Sequence, residues 1–340
     1  MAPLQSNQTT ALFVASLGVF LTATAWCYRR RRRRTKSRAE FFQIPAGLLK
    51  SQYAAELKVA VELALKCGDN MVSHCEERGT VQAKHSDSLG MEFKGSPQDF
   101  CTAIDLQNEE LVTKAIRTHF SSHKIIGEES TGTGALPQLT SKPTFIIDPI
   151  DGTTNFASGL CLACVSIGLA VHKQPVMGVV YAPMTRELYL SVRGHGAYRN
   201  GVLLDKTPTT TSLRNAVIDF EFGYGRSTED IRKMVGAVER LLQHGCRATR
   251  CLGSGVLDIL YVATGRLDVV YAGVANEGWK PWDYCAALVI AVEAGCSIES
   301  LIGNEGKELD IYDKSIICAG NQQLLQDCRR VIVQGLHKEY

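Results

Sequence analysis

The 340-residue sequence lacks the signatures by which many enzymes are first recognised. It has no Gly-x-x-x-x-Gly-Lys-Ser/Thr loop, which argues against a P-loop nucleotide site. It has no Gly-x-Ser-x-Gly elbow near a histidine, which argues against a serine hydrolase of that type. Its twelve cysteines are scattered, and Cys161-x-x-Cys164 has no second pair to complete a zinc site. That pair lies in an apolar run and reads as core packing, so free thiols in a reducing compartment are expected. Acidic residues are missing from residues 1–38, which hold eight basic ones. The rest of the chain carries 29 basic against 35 acidic residues, without the basic footprint of a nucleic-acid partner. Internal repeats and low-complexity linkers are absent after residue 48.

A long apolar run occurs once, from Ala11 to Tyr28, and Arg29 to Arg34 follow it directly. A secretory signal places its charge before the apolar stretch, whereas this order fits a signal anchor with its arginines in the cytosol. The run is at the short end of what crosses a bilayer. The arginines also suit a nuclear or nucleic-acid tract, or a polybasic patch on anionic lipid. The expectation adopted is a membrane anchor through residues 11–28, with the folded part facing the cytosol and a soluble cytoplasmic chain as the fallback. Residues 1–47 then form the anchor, arginine tract and linker, and residues 48–340 the folded domain. Asn7-Gln8-Thr9 matches a glycosylation sequon too close to the apolar run to carry weight.

In the folded part, Leu57, Val61, Ala64 or Leu65, Gly68, Met71 or Val72 and Cys75 recur at helical spacing, predicting a helix from Leu48 to about Arg78. Val81 to Phe100 reads as a hairpin or loop. Cys161 to Val171, Pro175 to Ala182 and Glu187 to Val192 are predicted strands with short links, and Asn200-Gly201 marks a tight hairpin. Such a run implies an antiparallel sheet. A strand at Ala216 to Phe222, a helix from about Thr228, a helix opened by Gly253-Ser254-Gly255 and a helix after Trp282-Asp283 follow.

The most informative stretch is Asp148-Pro149-Ile150-Asp151-Gly152-Thr153-Thr154-Asn155, which succeeds the apolar run Thr144 to Ile147. Two carboxylates at a strand mouth converge on one point, and the backbone N–H groups after them suit an anion. That pairing is what metal-assisted phosphate chemistry needs. Asp-Pro and Asp-Gly are also ordinary turn formers, so the reading depends on further acids elsewhere. Glu128 after the strand Lys124 to Ile126, and Asp283 at a helix start, supply them. Asp105 and Asp283 each also read as an N-cap. Carboxylates, carbonyls and water suit Mg²⁺, and no His or Cys cluster with zinc spacing competes.

Gly127-Glu128-Glu129-Ser130, the Asp148–Asn155 octet, and Pro281-Trp282-Asp283 followed by Ala286-Ala287 resemble the inositol monophosphatase family over nearly all of residues 50–335. The resemblance implies an α+β fold, a layered αβαβα sandwich of the inositol monophosphatase/fructose-1,6-bisphosphatase type. It also implies a homodimer and a Mg²⁺-dependent, lithium-sensitive hydrolysis of a small phosphate monoester. By position, Glu128, Asp148, Asp151, Asp283 and the Ile150 carbonyl would ligate metal. Gly152, Thr153 and Thr154 would hold phosphate, and Asp105 with Thr153 would activate water. Gly253, Ser254 and Gly255 would line the alcohol side.

Family members acting on inositol phosphate commonly carry a glutamate seven residues before the Trp-Asp aspartate. Here Asn276 stands there, with Glu277 one step on as the candidate substrate contact. Tyr224 and Gly225 stand where many relatives place serines. These departures fall on the substrate side and leave the metal positions intact, so the resemblance carries the phosphatase chemistry further than the inositol specificity; inositol monophosphate is the expected substrate. Histidinol phosphate, a sugar phosphate or a phosphorylated nucleotide are the alternatives, and a catalytically idle tethered scaffold is a third reading.

Overall fold

Strand β4 (Thr144–Asp151) is buried at all eight positions, which explains why its apolar run does not alternate with polar residues. The apolar run covers only Thr144 to Ile147, but the strand continues through Pro149 to Asp151. Pairing with β5 (Cys164–Val171) shifts register between Asp148 and Asp151, and proline is tolerated at such an irregularity. Side chains three apart on a regular strand point to opposite faces. The irregularity lets both carboxylates meet on one side.

The computed structural model describes residues 42–76, 90–96, 99–204, 210–275, 278–303 and 309–334. From Ile44 onward the chain forms one compact unit. Its larger sheet adds β3 (Lys124–Gly127), β6 (Gln174–Ala182), β7 (Glu187–Val192), β8 (Ala197–Arg199) and β9 (Val202–Leu203), in the order β3-β4-β5-β6-β7-β8-β9. Only the β3–β4 pair is parallel. Asn200 (φ 50°) and Gly201 (φ 78°) make the left-handed turn expected between β8 and β9.

A second sheet is mixed, in the order β11 (Ala248–Arg250), β10 (Val217–Glu221), β12 (Val269–Ala272), β14 (Ile316–Ala319), β13 (Ser297–Glu299). The first three are parallel and the last two run antiparallel to their neighbours. A short hairpin, β1 (Glu92–Ser96) with β2 (Asp99–Cys101), stands apart.

Helices α1 (Ala54–Glu76) and α2 (Ala103–His119) pack on the larger sheet. A 3₁₀ turn, Leu48–Lys50, precedes α1, so the helix begins at Ala54, later than the predicted Leu48. Two short helices follow, α3 (Glu128–Thr131) and α4 (Thr153–Ser158). Then come α5 (Thr228–His244), α6 (Gly255–Ala263), α7 (Pro281–Glu293) and α8 (Gln322–Val333).

Helices α6 and α7 lie between the sheets, where Leu257, Leu260, Ala286 and Ile290 share one core with Val180 and Tyr189 and with Val270 and Cys318. On the opposite face of the second sheet, Val269, Tyr271, Ile317 and Ala319 pack with Ala237 and Leu241 of α5 and Leu324 and Cys328 of α8. Alternate residues of β12 and β14 thus serve different cores, as the two-residue period of a strand dictates. The layering is αβαβα, the expected α+β sandwich.

The apolar run 11–28, the arginine tract, Asn276 and Glu277 lie outside the described residues. Among the described residues, no helix is long and apolar enough to cross a membrane. Ten cysteines from Cys67 to Cys328 are free thiols, with Cys161 exposed and Cys164 buried.

Candidate active site

The site is built where β4 ends, because four separate segments deliver acids to that point. Asp148, Asp151 and Asp283 each place a carboxylate oxygen within 4.8 Å of the others. Asp148 accepts the Ile150 N–H at 3.0 Å, closing a turn over Pro149. Asp151 Oδ2 accepts from the Ser254 hydroxyl in a short hydrogen bond, from the Val256 N–H at 3.2 Å and from the Cys164 thiol at 3.7 Å. Ser254, expected on the alcohol side, gives its hydroxyl to Asp151 instead. Cys164 likewise does more than pack the core, since its thiol touches the same carboxylate.

Asp105 and Asp283 are placed by one device used twice. Neither is the N-cap. Each is the third residue of its helix, and its carboxylate curls back to the N–H of the residue preceding that helix. Thr102 N donates to Asp105 Oδ2 at 2.8 Å, joined by the Thr102 hydroxyl in a shorter bond, and Lys280 N donates to Asp283 Oδ2 at 2.6 Å. One oxygen of each acid is thereby fixed to the backbone. On Asp105 the other oxygen faces Thr153, whose hydroxyl donates to Oδ1 at 3.4 Å and to the Ile150 carbonyl at 2.9 Å.

Glu128 stands at the N-terminus of α3. Glu109 of α2 holds that helix by accepting the Glu129 N–H at 2.7 Å and the Ser130 N–H at 2.8 Å. A Cβ at Gly127 would lie 2.4 Å from the Glu109 carboxyl carbon, so the glycine is needed for this contact. Lys94 of β1 reaches across to Glu128 at 2.9 Å and Glu129 at 2.7 Å. Burial works against the Lys94 ammonium, but these two carboxylates hold it firmly protonated. Lys94 and Glu109 were not singled out in the sequence, since neither carries a local motif.

Gly152, between β4 and α4, adopts φ +82°, and a Cβ there would sit 2.7 Å from the Leu162 carbonyl. Thr154 is exposed one residue beyond Thr153. Asn155 ties the octet to the loop before α6, its amide donating to Leu162 O at 2.9 Å and Leu252 O at 2.6 Å. Gly253 in that loop adopts φ +78°. Gly255 lies against Trp279, whose ring a Cβ would meet at 2.7 Å. Tyr224 is exposed, and partial desolvation with the charges of Asp99, Glu128 and Asp283 pushes its phenol pKa up.

Crowding of desolvated carboxylates governs the electrostatics. Burial, then Glu128, Asp151 and Asp283, push Asp148 well above the carboxylate range. Burial, then Asp151 and Glu128, do the same to Asp283. Burial takes Asp151 up to about 7 against the opposing Ser254 bond, and Asp105 up to about 6 against its Thr102 bonds. Such a group is stable in ionised form only beside a cation. Its donors are all oxygens, which suit a hard divalent ion. The residues present therefore fit a metal.

Residues 53–335 match the inositol monophosphatase family. The chain belongs to that family. The rat protein named inositol monophosphatase 2 is 35% identical over 267 residues, covering 78% of this chain and 86% of its own. Pig inositol monophosphatase 1 is 34% identical over 260 residues, covering 76% and 91%. The solved structure of inositol monophosphatase from Anabaena (Nostoc) sp. PCC 7120 superposes with a TM-score of 0.66 at 28% identity, covering 84% of this chain and 97% of that one. As a family member the chain is a phosphoric monoester hydrolase, and the idle-scaffold reading has no support.

Proposed function

We propose that the protein hydrolyses inositol monophosphate to inositol and phosphate with Mg²⁺ as cofactor. The observation that carries this reading is the approach of Asp148, Asp151 and Asp283 within 4.8 Å, directly beside the Thr153–Asp105 pair. Glu128, Asp148, Asp151, Asp283 and the Ile150 carbonyl would hold the metal. When bound, Mg²⁺ supplies Lewis-acid stabilisation of charge on phosphate oxygens and acidifies water. Gly152, Thr153 and Thr154 take the phosphate on backbone N–H groups at the start of α4. Asp105, through the Thr153 hydroxyl, orients the attacking water and takes its proton. Lys94 anchors Glu128 and Glu129 and limits the negative charge that repels a phosphate dianion.

A sister phosphatase is the second reading, favoured by Tyr224, an exposed aromatic residue within reach of the charges of Glu128 and Asp283 where many relatives carry a serine. The loop around Gly253 and Gly255, with Glu277, contributes to the choice of alcohol. Phosphate release by the full-length protein from inositol monophosphate, histidinol phosphate, a sugar phosphate and a phosphorylated nucleotide separates the two readings. We expect inositol monophosphate to give the highest kcat/KM, with activity abolished by chelator and inhibited by lithium. A preference for another monoester would replace the substrate assignment and leave the chemistry intact.

The reading extends to a homodimer and to an anchor through residues 11–28 that leaves the hydrolase in the cytosol. Sedimentation of the full-length protein tests the first, with a monomer at micromolar concentration as the contrary result. A reporter fused to residues 1–40 tests the second, and a diffuse cytosolic signal would contradict it.

A further inference from the structure

Behind the catalytic acids lies a second set of carboxylates that the hydrolysis does not use. Asp219 and Glu221 are two residues apart on β10 and so share one face of the strand. Asp258 meets them from the first turn of α6. One oxygen from each of the three lies within 4.8 Å of the others. Asp219 and Asp258 are fully buried, at 0% exposure, and none of their four carboxylate oxygens has a donor from outside the acidic group. This separates them from Asp105, Asp151 and Asp283, whose oxygens are taken by backbone or hydroxyl donors. Glu221 accepts from the Gly253 N–H at 2.7 Å and from the Cys251 thiol, and is only partly buried.

Buried carboxylates without donors must be balanced by a cation or by protons. The available basic group is insufficient. Arg250 pairs with Asp219 in the strand register and its charge draws the Asp219 carboxyl down, but burial and the Glu221 charge outweigh it and leave that carboxyl raised to about 8. The nearby Cys251 thiol donates to Glu221 at 3.9 Å, and the three groups that converge on one point are all carboxylates. The donor set is oxygen only.

We propose that Asp219, Glu221 and Asp258 form a second cation site, separate from the catalytic cluster, for a hard divalent ion of the Mg²⁺ or Mn²⁺ type. Its position gives it a purpose. Gly253 is bonded to Glu221, and the next residue, Ser254, is bonded to Asp151. An ion that fixes Glu221 also fixes the loop on which the catalytic Asp151 and the alcohol side depend.

The test is Mn²⁺ binding alone, counted by electron paramagnetic resonance on metal-depleted full-length protein. The background is Asp148→Asn/Asp283→Asn, compared with the same chain also carrying Asp219→Asn/Asp258→Asn. Asparagine keeps the shape and removes the repulsion, so the fold is expected to persist by circular dichroism. The expected result is one Mn²⁺ per chain fewer in the quadruple variant, however many ions the catalytic cluster takes. Equal stoichiometry in the two folded chains would overturn the site and leave Asp219 and Asp258 as a pair sharing protons. Absence of any bound Mn²⁺ in the Asp148→Asn/Asp283→Asn chain would overturn it without recourse to the second variant. Neither outcome depends on which monoester is the substrate.

Discussion

The Ser254 hydroxyl donates to Asp151 Oδ2, although the two residues lie 103 positions apart, one at the end of β4 and the other just before α6. This bond joins the catalytic strand to the loop expected to meet the substrate's alcohol. It also fixes one oxygen of a carboxylate assigned to metal. Outer partners of metal ligands commonly contribute about 10–100-fold to metal affinity. Ser254→Ala is therefore expected to raise the Mg²⁺ concentration for half-maximal activity by about that factor. A larger effect on KM for the monoester than on Mg²⁺ dependence would instead place Ser254 against substrate.

Thr153 and Asp105 are expected to act as a unit. Asp105→Asn and Thr153→Ala should each lower kcat by about 10²–10⁴-fold, the usual range for general acid–base groups. The double variant should be little worse than either single one, because each removes the same proton path. Independent, multiplying effects would show that the 3.4 Å contact is incidental.

Gly152→Ala forces a Cβ to 2.7 Å from the Leu162 carbonyl in a left-handed conformation. Strained backbone of this kind costs about 1–3 kcal/mol, before any movement of the phosphate cradle is counted. Thermal unfolding should register the loss, together with a fall in kcat. An unchanged Tm with full activity would show that the turn relaxes freely.

Metal removal should make stability depend on pH in a definite direction. Without a cation, burial holds Asp105 up to about 6, Asp151 up to about 7 and Glu129 up to about 8. In the unfolded chain these acids titrate near about 4, so between the two sets of values the folded chain binds more protons. Their stabilising contribution is complete below the unfolded values and is lost as pH rises through the folded ones. With chelator present, Tm should fall from about pH 5 to about pH 8, and added Mg²⁺ should raise it most at the upper end. A Tm that rises across this window in chelator would contradict the crowding of unneutralised acids.

Much of this site was legible in the sequence, for physical reasons that differ by residue. Asp148 and Asp151 follow an apolar run that could only be a buried strand, and Gly152 permits the turn after them. The three family motifs fixed the order in which Glu128 and Asp283 arrive. The roles of Asp105 and Asp283 within their helices were less visible, because a carboxylate can cap from the first position or curl back from the third. The β-irregularity that keeps Pro149 inside β4 depends on the partner strand. Lys94, Glu109 and the Asp219–Glu221–Asp258 group depend on contacts between distant segments. Nothing in Asp258's helical setting marks it as different from an ordinary first-turn acid until β10 is packed beside it.

The most direct test of the account is phosphate release from inositol monophosphate by the Asp148→Asn variant at saturating Mg²⁺. The substitution keeps size and a hydrogen-bond acceptor for Ile150 N, but removes one of the three converging charges. The account predicts turnover at background level with a native circular dichroism spectrum. Wild-type-like turnover in that variant would contradict the carboxylate cluster as the metal site and the hydrolysis built upon it.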